Sequence, residues 1–354
     1  MAILRKICLF LLPFLLTGCF TDFDPKIKTK PVLCLNSLIT SGKPIEVNVT
    51  HTWIYTDEYS TKYHEVKDAE IKIYANGDRV DADYLPKEGD HIRIEAESPV
   101  YGRAEAEVDV PYAPTTEDIG YTFAVKNRKA SVTPPWGLKG SIKFDIDATL
   151  DMQGSPEGNL YYRLGYDSFS YFDSVDSGYY ESDDGRYEDT DSPTSQRFDD
   201  GYLRTPDPIF NESVSEFEEI LGYFPSAAFF SDHSFVGGCR TIHFQFDECE
   251  YLTENWKPGT DLMDCGYFIT LFSISKSYFD WAMYYWQNYD GILGDFSDMG
   301  FAEPIWGYSN VSTGAGVVAA QSSVTFRIDI KEFLNENFGK YMDEHYEIDS
   351  RDSR

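Results

Sequence analysis

The residues best suited to hold a metal ion lie in an acidic segment at 167–200. Hard cations such as calcium are bound by several carboxylate oxygens that converge within a few ångströms. Asp183, Asp184, Asp189 and Asp191 could supply such oxygens. The segment lacks the D-x-D-x-D-G start and the glutamate at the twelfth position of an EF-hand. Calcium binding is therefore one hypothesis, and a long solvated acidic loop without a metal is the other.

Patterns for covalent catalysis are weak along the whole chain. Ser273 to Lys276 fits S-x-x-K as a string, but its companions S-D-N and K-T-G are missing, as are G-x-S-x-G and H-E-x-x-H. Cys239 and His243 would lie about 13 Å apart on an extended strand, too far for one zinc ion. Among 60 acids, some carboxylate pair will always be close enough for glycoside hydrolysis, so that signal is uninformative. The sequence predicts no enzyme and no catalytic residue, and no cofactor other than a covalent lipid and the calcium ion considered above.

Two of the cysteines could form a disulfide. Cys249 and Cys265 are symmetric about Lys257 and Pro258. In an antiparallel hairpin, residues at equal distances from the turn face each other, so these two could form a bridge. The alternative is that the cysteines are independently buried thiols.

The most distinctive segment is FAEPIWGYSNVSTGAGVVAA at 301–320. Its proline favours an extended conformation at Glu303, and Asn310 suits a left-handed turn position. Gly314 and Gly316 allow positive φ or close backbone approach. One interpretation is a structural turn that enters a final strand, and the other is a ligand-facing loop.

The N-terminus resembles a lipoprotein signal at 1–18. Arg5 and Lys6 precede an apolar run too short to span a bilayer. Leu16, Thr17 and Gly18 then lead to Cys19 as a lipobox, which predicts cleavage before that cysteine and a diacylglycerol thioether on its sulfur. The alternative is an ordinary secretory signal with a chance cysteine. Several acyl chains, at about 0.8 kcal/mol per buried methylene, would anchor the protein to a membrane through the polar tether at 19–30.

Composition limits the partners. The chain has 354 residues and a formal net charge of −30, so it should repel nucleic acid and anionic headgroups. The lipid must then hold it at the membrane. Aromatic residues make up 16% of the chain, which favours strands over disorder.

Short alternating segments predict a mainly β fold. Strand patterns with an Asn76-Gly77 hairpin signal suggest an immunoglobulin-like β-sandwich at 31–115. A larger β-rich domain with a few helices follows at 116–335, and a C-terminal helix and tail at 336–354. Within the second domain, Ser277 to Tyr289 is aromatic on most faces and is expected to be a buried helix.

Several of these segments resemble a family of Bacteroidota lipoproteins, domain of unknown function 4249. The lipobox, PVLCLNSLITSGKPIEVNV, FSDHSFVGGCRTIHFQF and the EP, SN and G-x-G of the segment at 301–320 carry the resemblance, although Val317 stands where the family often has an aromatic. Such proteins are commonly encoded beside TonB-dependent receptors. The resemblance implies an outer-membrane lipoprotein, and Asp22 and Asp24 loosely fit a surface-export signal. A periplasmic location is the alternative.

The function expected from this context is non-enzymatic. The protein would be an accessory to a TonB-dependent transporter and would capture its ligand or act as a lid. A structural or assembly module of a surface complex is the alternative, and a surface hydrolase is the least favoured.

Overall fold

The computed structural model describes residues 30–52, 65–132, 138–171, 195–211, 228–287, 295 and 307–352. The chain is mainly β with few helices, which confirms the predicted fold class. The described strands are β1 Leu33–Thr40, β2 Asn48–His51, β3 Glu70–Ala75, β4 Asp78–Val80, β5 His91–Ser98, β6 Gly102–Asp109, β7 Thr116–Val132, β8 Leu138–Gln153, β9 Tyr161–Tyr171, β10 Ser195–Asp199, β11 Tyr202–Arg204, β12 Ala228–Ser231, β13 Cys239–Trp256, β14 Asp264–Ile274 and β15 Val318–Asp329.

Segments in which hydrophobic and polar residues alternate form strands, as predicted. In β8 every second residue is buried, including Ile142, Phe144 and Ile146, while the residues between them face outward. Asn76 and Gly77 both adopt positive φ, at 54° and 91°, and connect β3 to β4. That conformation is the one a two-residue hairpin turn requires.

The described strands form three sheets. The four-stranded sheet has the order β4-β3-β5-β6, and the five-stranded sheet has β10-β13-β8-β7 with β11 also on β13. The six-stranded sheet has the order β12-β9-β14-β15-β1-β2. Within it, the first four residues of β15 pair in parallel with β1, and Gln321–Asp329 pair antiparallel with β14.

Two hydrophobic cores result, and β15 contributes to both. The first is built from residues at 33–110 together with Val311, Val318 and Ala320. The second begins at Ile119 and includes Ile328 near the end of β15. One strand therefore carries side chains from the first core into the second.

The described helices are α1 Lys276–Tyr285, α2 Lys331–Leu334 and α3 Lys340–Asp352, with a π-helical turn at Asn335–Gly339 between the last two. Phe338 and Met342 of this C-terminal region are buried in the second core. No helix in the described part of the chain combines the length and the apolarity needed to cross a bilayer.

The predicted limits of the acidic loop at 167–200 are wrong at both ends. The residues from Asp167 to Tyr171 continue β9, where they pair with β14, and Phe169 is buried. The residues from Ser195 to Asp199 form β10 and pair with β13. At the β9 end the ladder extends into the acidic region because aromatic residues alternate there with serines.

Candidate ligand-binding cleft

Helix α1 is fixed to the outer side of the six-stranded sheet at its first turn. Ser275 caps the helix by accepting a hydrogen bond from the backbone N–H of Tyr278. The Ser275 hydroxyl also accepts from the N–H of Ala320 at 3.0 Å, and the Ser277 hydroxyl donates to the carbonyl of Val318 at 2.9 Å. The start of the helix is thus attached to the start of β15.

A cleft of about 390 Å³ lies between α1 and the edge strand β12. Its walls carry Ile209, Phe229, Phe230, Ser231, His233, Ser234 and Phe279. Most of this surface is apolar, and one imidazole and two hydroxyls supply the polar groups. Binding sites for organic ligands commonly have this composition.

Aromatic contacts join the cleft to its rim. The ring of Phe279 lies 4.7 Å from that of Tyr161 on β9, and the ring of Phe229 lies 5.9 Å from that of Tyr278 on α1. Trp281 continues this row, at 6.0 Å from Tyr278. The row therefore extends from the sheet to the outward side of the helix.

The outward side of α1 is exposed, contrary to the expectation that the helix is buried. The exposed fractions of Trp281 and Tyr285 are 39% and 46%, and their rings lie 5.9 Å apart. Ala282 and Met283 of the same helix are buried. Exposed indole and phenol rings suit contact with a ligand or partner, since they combine a large apolar face with a polar edge.

Asp232 lies beside the cleft but serves the fold. Its side chain is fully buried and accepts hydrogen bonds from the backbone N–H groups of Ser155 at 2.7 Å and Leu160 at 2.9 Å. Both donors belong to the turn between β8 and β9. The carboxylate therefore fixes this turn.

Asp207 positions one wall of the cleft. Burial alone would raise the pKa of its carboxyl, but the hydrogen bonds that it accepts outweigh this effect and lower the pKa. The donors are the backbone N–H of Ile209 at 3.0 Å, the Arg240 guanidinium at 2.6 Å and the backbone N–H of His243 at 3.2 Å. The ionised carboxylate holds Ile209, which lines the cleft, against β13.

The segment proposed as a ligand loop makes structural contacts where it is described. Asn310 donates to the carbonyl of Val318 at 2.8 Å and accepts from its N–H at 2.9 Å. A Cβ on Gly314 would lie 2.6 Å from the Leu33 carbonyl oxygen. Gly316 has φ +110°, and a Cβ there would lie 2.3 Å from the carbonyl oxygen of Leu35. These contacts match the structural-turn interpretation.

The same segment connects two strands of the first core. The backbone N–H of Ala315 donates to Leu33 at 2.8 Å, and that of Leu35 donates back to Ala315 at 2.8 Å. Ser312 exchanges two backbone hydrogen bonds with Glu105 of β6. The segment therefore fills the gap between β1 and β6.

The expected bridge between Cys249 and Cys265 is wrong. Both are buried free thiols, because β13 pairs with β8 and β14 pairs with β9 and β15. The turn at 257–260 crosses from one sheet to the other, so residues at equal distances from it are not ladder partners. Burial raises the pKa of both thiols, that of Cys265 to about 12. Both are therefore protonated and unreactive at neutral pH.

The remaining predicted site residues lie outside the described part of the chain. They are Cys19, Asp183, Asp184, Asp189, Asp191 and Glu303. Among the described residues, no group of three or more His, Cys, Asp or Glu side chains is arranged to hold a metal ion. Lipidation and calcium binding therefore stay predictions.

Sequence reasoning missed the cleft itself. One wall comes from β12 and the 3₁₀ turn at Asp232–Phe235 that directly follows it, and another comes from α1, which is distant in sequence. β12 is placed there by its pairing with β9. The available signal was the aromatic composition of α1 on all of its faces. A helix packed on one side has no packing reason to carry exposed aromatic rings.

A family model described as Domain of unknown function (DUF4249) matches residues 21–327. Searches of curated proteins and of solved structures give no match. The matched range includes all of the first core, the walls of the cleft and nearly all of β15. The chain therefore belongs to the DUF4249 family, as the sequence resemblance indicated.

Proposed function

We propose that this protein is a lipid-anchored accessory to a TonB-dependent transporter of the outer membrane, and that it captures a ligand by non-covalent binding. The observation that carries the proposal is the aromatic-lined cleft between β12 and α1, continued outward by Trp281 and Tyr285. The lipobox at Cys19 supports attachment to a membrane. The partnership with a transporter derives from the family context, and surface display is favoured over the periplasmic face.

The composition of the cleft supports binding without catalysis. Its polar groups are the hydroxyls of Ser231 and Ser234 and the imidazole of His233, and the nearest buried acid, Asp232, already accepts two backbone hydrogen bonds. Such groups can orient a ligand that the rings of Phe229 and Phe279 hold by apolar contact. We infer that the cleft selects its ligand by shape and by aromatic contact.

Co-purification tests the proposal. The tagged protein would be extracted from the outer membrane in detergent, and the wild type should bring down a TonB-dependent receptor in a stoichiometric amount. Trp281→Ala should reduce this recovery at least tenfold if the exposed row of rings meets the receptor or a shared ligand. Tyr202→Ala is the matched control, because it removes another exposed ring, on β11 of the five-stranded sheet. Recovery of the wild type as a lone monomer would overturn the partnership.

A structural or assembly module is the second candidate. It is favoured by the way that β15 joins two cores and the segment at 309–318 fills the gap between β1 and β6. Such a shared strand suits a rigid spacer in a surface complex. A module of this kind would recover its partner equally well with Trp281→Ala, which distinguishes it from the capture function.

A further inference from the structure

The outward side of β9, β14 and β15 presents rows of paired side chains. Residues that face each other across an antiparallel ladder project to the same side of the sheet. One row contains Arg163, Phe272 and Ser323, and the next contains Gly165, Thr270 and Thr325. The two threonine hydroxyls lie 3.0 Å apart. This side adjoins the cleft, because Arg163 on β9 is the ladder partner of Phe229 on β12, which lines the cleft.

Arg163 is held in a defined position on this side. Its guanidinium carbon lies 4.0 Å from the centroid of the Phe272 ring, which is a cation–π contact. A Cβ on Gly165 would lie 3.2 Å from that ring and 3.5 Å from Nη1 of Arg163. Because Gly165 has no side chain, there is room for the Arg163 guanidinium to stack on the Phe272 ring. Phe272 and Gly165 together fix the cation.

The guanidinium has no acid to neutralise it within the described part of the chain. Its Nε atom is buried and has no hydrogen-bond partner. The other half-buried arginines in the described part of the chain, Arg93 and Arg240, each pair with a carboxylate. In a chain with 60 acids and 30 bases, a half-buried arginine without an acid is unexpected. A buried donor without an acceptor costs stability, so such a group calls for an explanation.

We propose that Arg163 binds the carboxylate of a small organic acid. The guanidinium is a planar fork that matches a carboxylate with two parallel hydrogen bonds. A rotation of its outer torsions presents Nε together with an Nη atom to the ligand. Phe272 lies directly beside the cation and offers its ring to an apolar part of the ligand. Arg163, Gly165 and Phe272 are not among the residues that line the cleft, and Arg163, opposite Phe229, supplies a positive group that the cleft lacks.

Calorimetric titration of the full-length protein with phenylacetate tests the proposal. The wild type should bind phenylacetate, and it should bind the neutral isostere phenylacetamide at least tenfold more weakly. Arg163→Gln should weaken phenylacetate binding at least tenfold. Arg79→Gln is the matched control because it removes the same charge at an exposed position on β4, and it should change binding less than twofold.

Two further measurements complete the test. Arg163→Lys keeps the charge but loses the fork, and we expect an intermediate affinity with an unchanged circular dichroism spectrum. Inorganic phosphate should compete only weakly with phenylacetate. If phosphate binds as tightly as phenylacetate, the site recognises negative charge alone, and the carboxylate assignment is overturned. Equal phenylacetate binding by the wild type and Arg163→Gln, or no binding to the wild type, would overturn the proposal. Failure of the carboxylate site is separable from failure of the proposed function, because the proposed function is measured by co-purification with a receptor and not by phenylacetate binding.

Discussion

At the scale of single residues, the strictest steric requirement is found in the segment that enters β15, where the backbone leaves no room for a side chain. Gly316 and Gly42 both have positive φ, at +110° and +74°. They differ in their surroundings, since a Cβ on Gly316 would meet the carbonyl oxygen of Leu35, whereas nothing lies within 4 Å of one on Gly42. This pair separates the cost of a left-handed conformation from the cost of a steric clash.

We expect Gly316→Ala to lower the free energy of unfolding by about 4 kcal/mol or more, because strain and a backbone clash combine. Gly42→Ala should cost only about 1 to 2 kcal/mol, for the positive φ alone. Urea unfolding followed by tryptophan fluorescence measures both variants. Equal losses would contradict the contact between this segment and β1.

Asp90 makes the stability of the first core depend on pH. Its buried carboxylate accepts hydrogen bonds from Asn76 at 2.8 Å, Tyr84 at 2.7 Å and the backbone N–H of Lys87 at 2.8 Å. Burial alone would raise the pKa of Asp90, but these donors lower it. A lowered folded-state pKa stabilises the protein above the unfolded value of about 3.9, and that contribution is lost as the pH falls through the folded value.

We therefore expect Asp90→Asn to be less stable than the wild type at pH 7, with a difference that shrinks as the pH falls below about 4. Urea midpoints at several pH values measure this. Asp83→Asn, at an exposed position of the same loop, is the control for the loss of one charge. A difference that stays constant down to pH 3 would show that ionised Asp90 does not stabilise the fold.

At the scale of elements, local pattern predicted the strands well and their partners poorly. β5 and β8 were predictable because hydrophobic alternation with β-branched and aromatic residues is a local property. β7 was not, since this edge strand mixes charged and polar residues along its 17 positions. Symmetric spacing about a turn does not distinguish a hairpin from a crossing between sheets, which is why Cys249 and Cys265 were misassigned.

The candidate site was less predictable than the fold for the same physical reason. Phe229, His233 and Phe279 come together through the pairing of β12 with β9 and the packing of α1. No local period encodes such contacts. Gly314 and Gly316 were recognised as unusual because the backbone freedom of glycine is a local property, but whether it served a turn or a ligand depended on β1 and β6. The left-handed position predicted at Asn310 is wrong, since Thr313 has the positive φ instead.

Attachment of α1 to β15 gives a test at the same scale. We expect Ser275→Ala to cost about 1 to 2 kcal/mol, because the helix loses its cap and Ala320 loses an acceptor. Hydrogen exchange should show faster exchange in the first turn of α1 and little change in β8. Ser131→Ala, at an exposed position of β7, is the matched control. Unchanged exchange at Tyr278 would contradict the cap.

At the scale of the whole molecule, β15 contributes to both cores, and we expect the two cores to unfold as one cooperative system. Val318 and Ala320 are fully buried in the first core, and Ile328 is fully buried in the second. Unfolding of one core must therefore remove a pairing partner of the other. The protein should lack the independent transitions that separate domains on flexible linkers show.

We expect a single calorimetric transition. Leu35→Ala in the first core and Leu271→Ala in the second should each cost about 2 to 5 kcal/mol and lower the temperature of that same transition. Because both leucines are fully buried, each variant serves as the control for the other. A new early transition in Leu35→Ala alone would show that the cores unfold independently.

The place of β15 in the chain also has a consequence for biogenesis. The polypeptide emerges from the ribosome amino end first, yet β1 obtains its parallel partner only when residues 318–321 arrive. Nearly 280 residues separate the two strands, so this pairing closes a very long loop. The first core therefore stays incomplete during synthesis of the rest of the chain. Any chaperone that binds the nascent chain has to cover the unpaired edge of β1 until β15 has been synthesised.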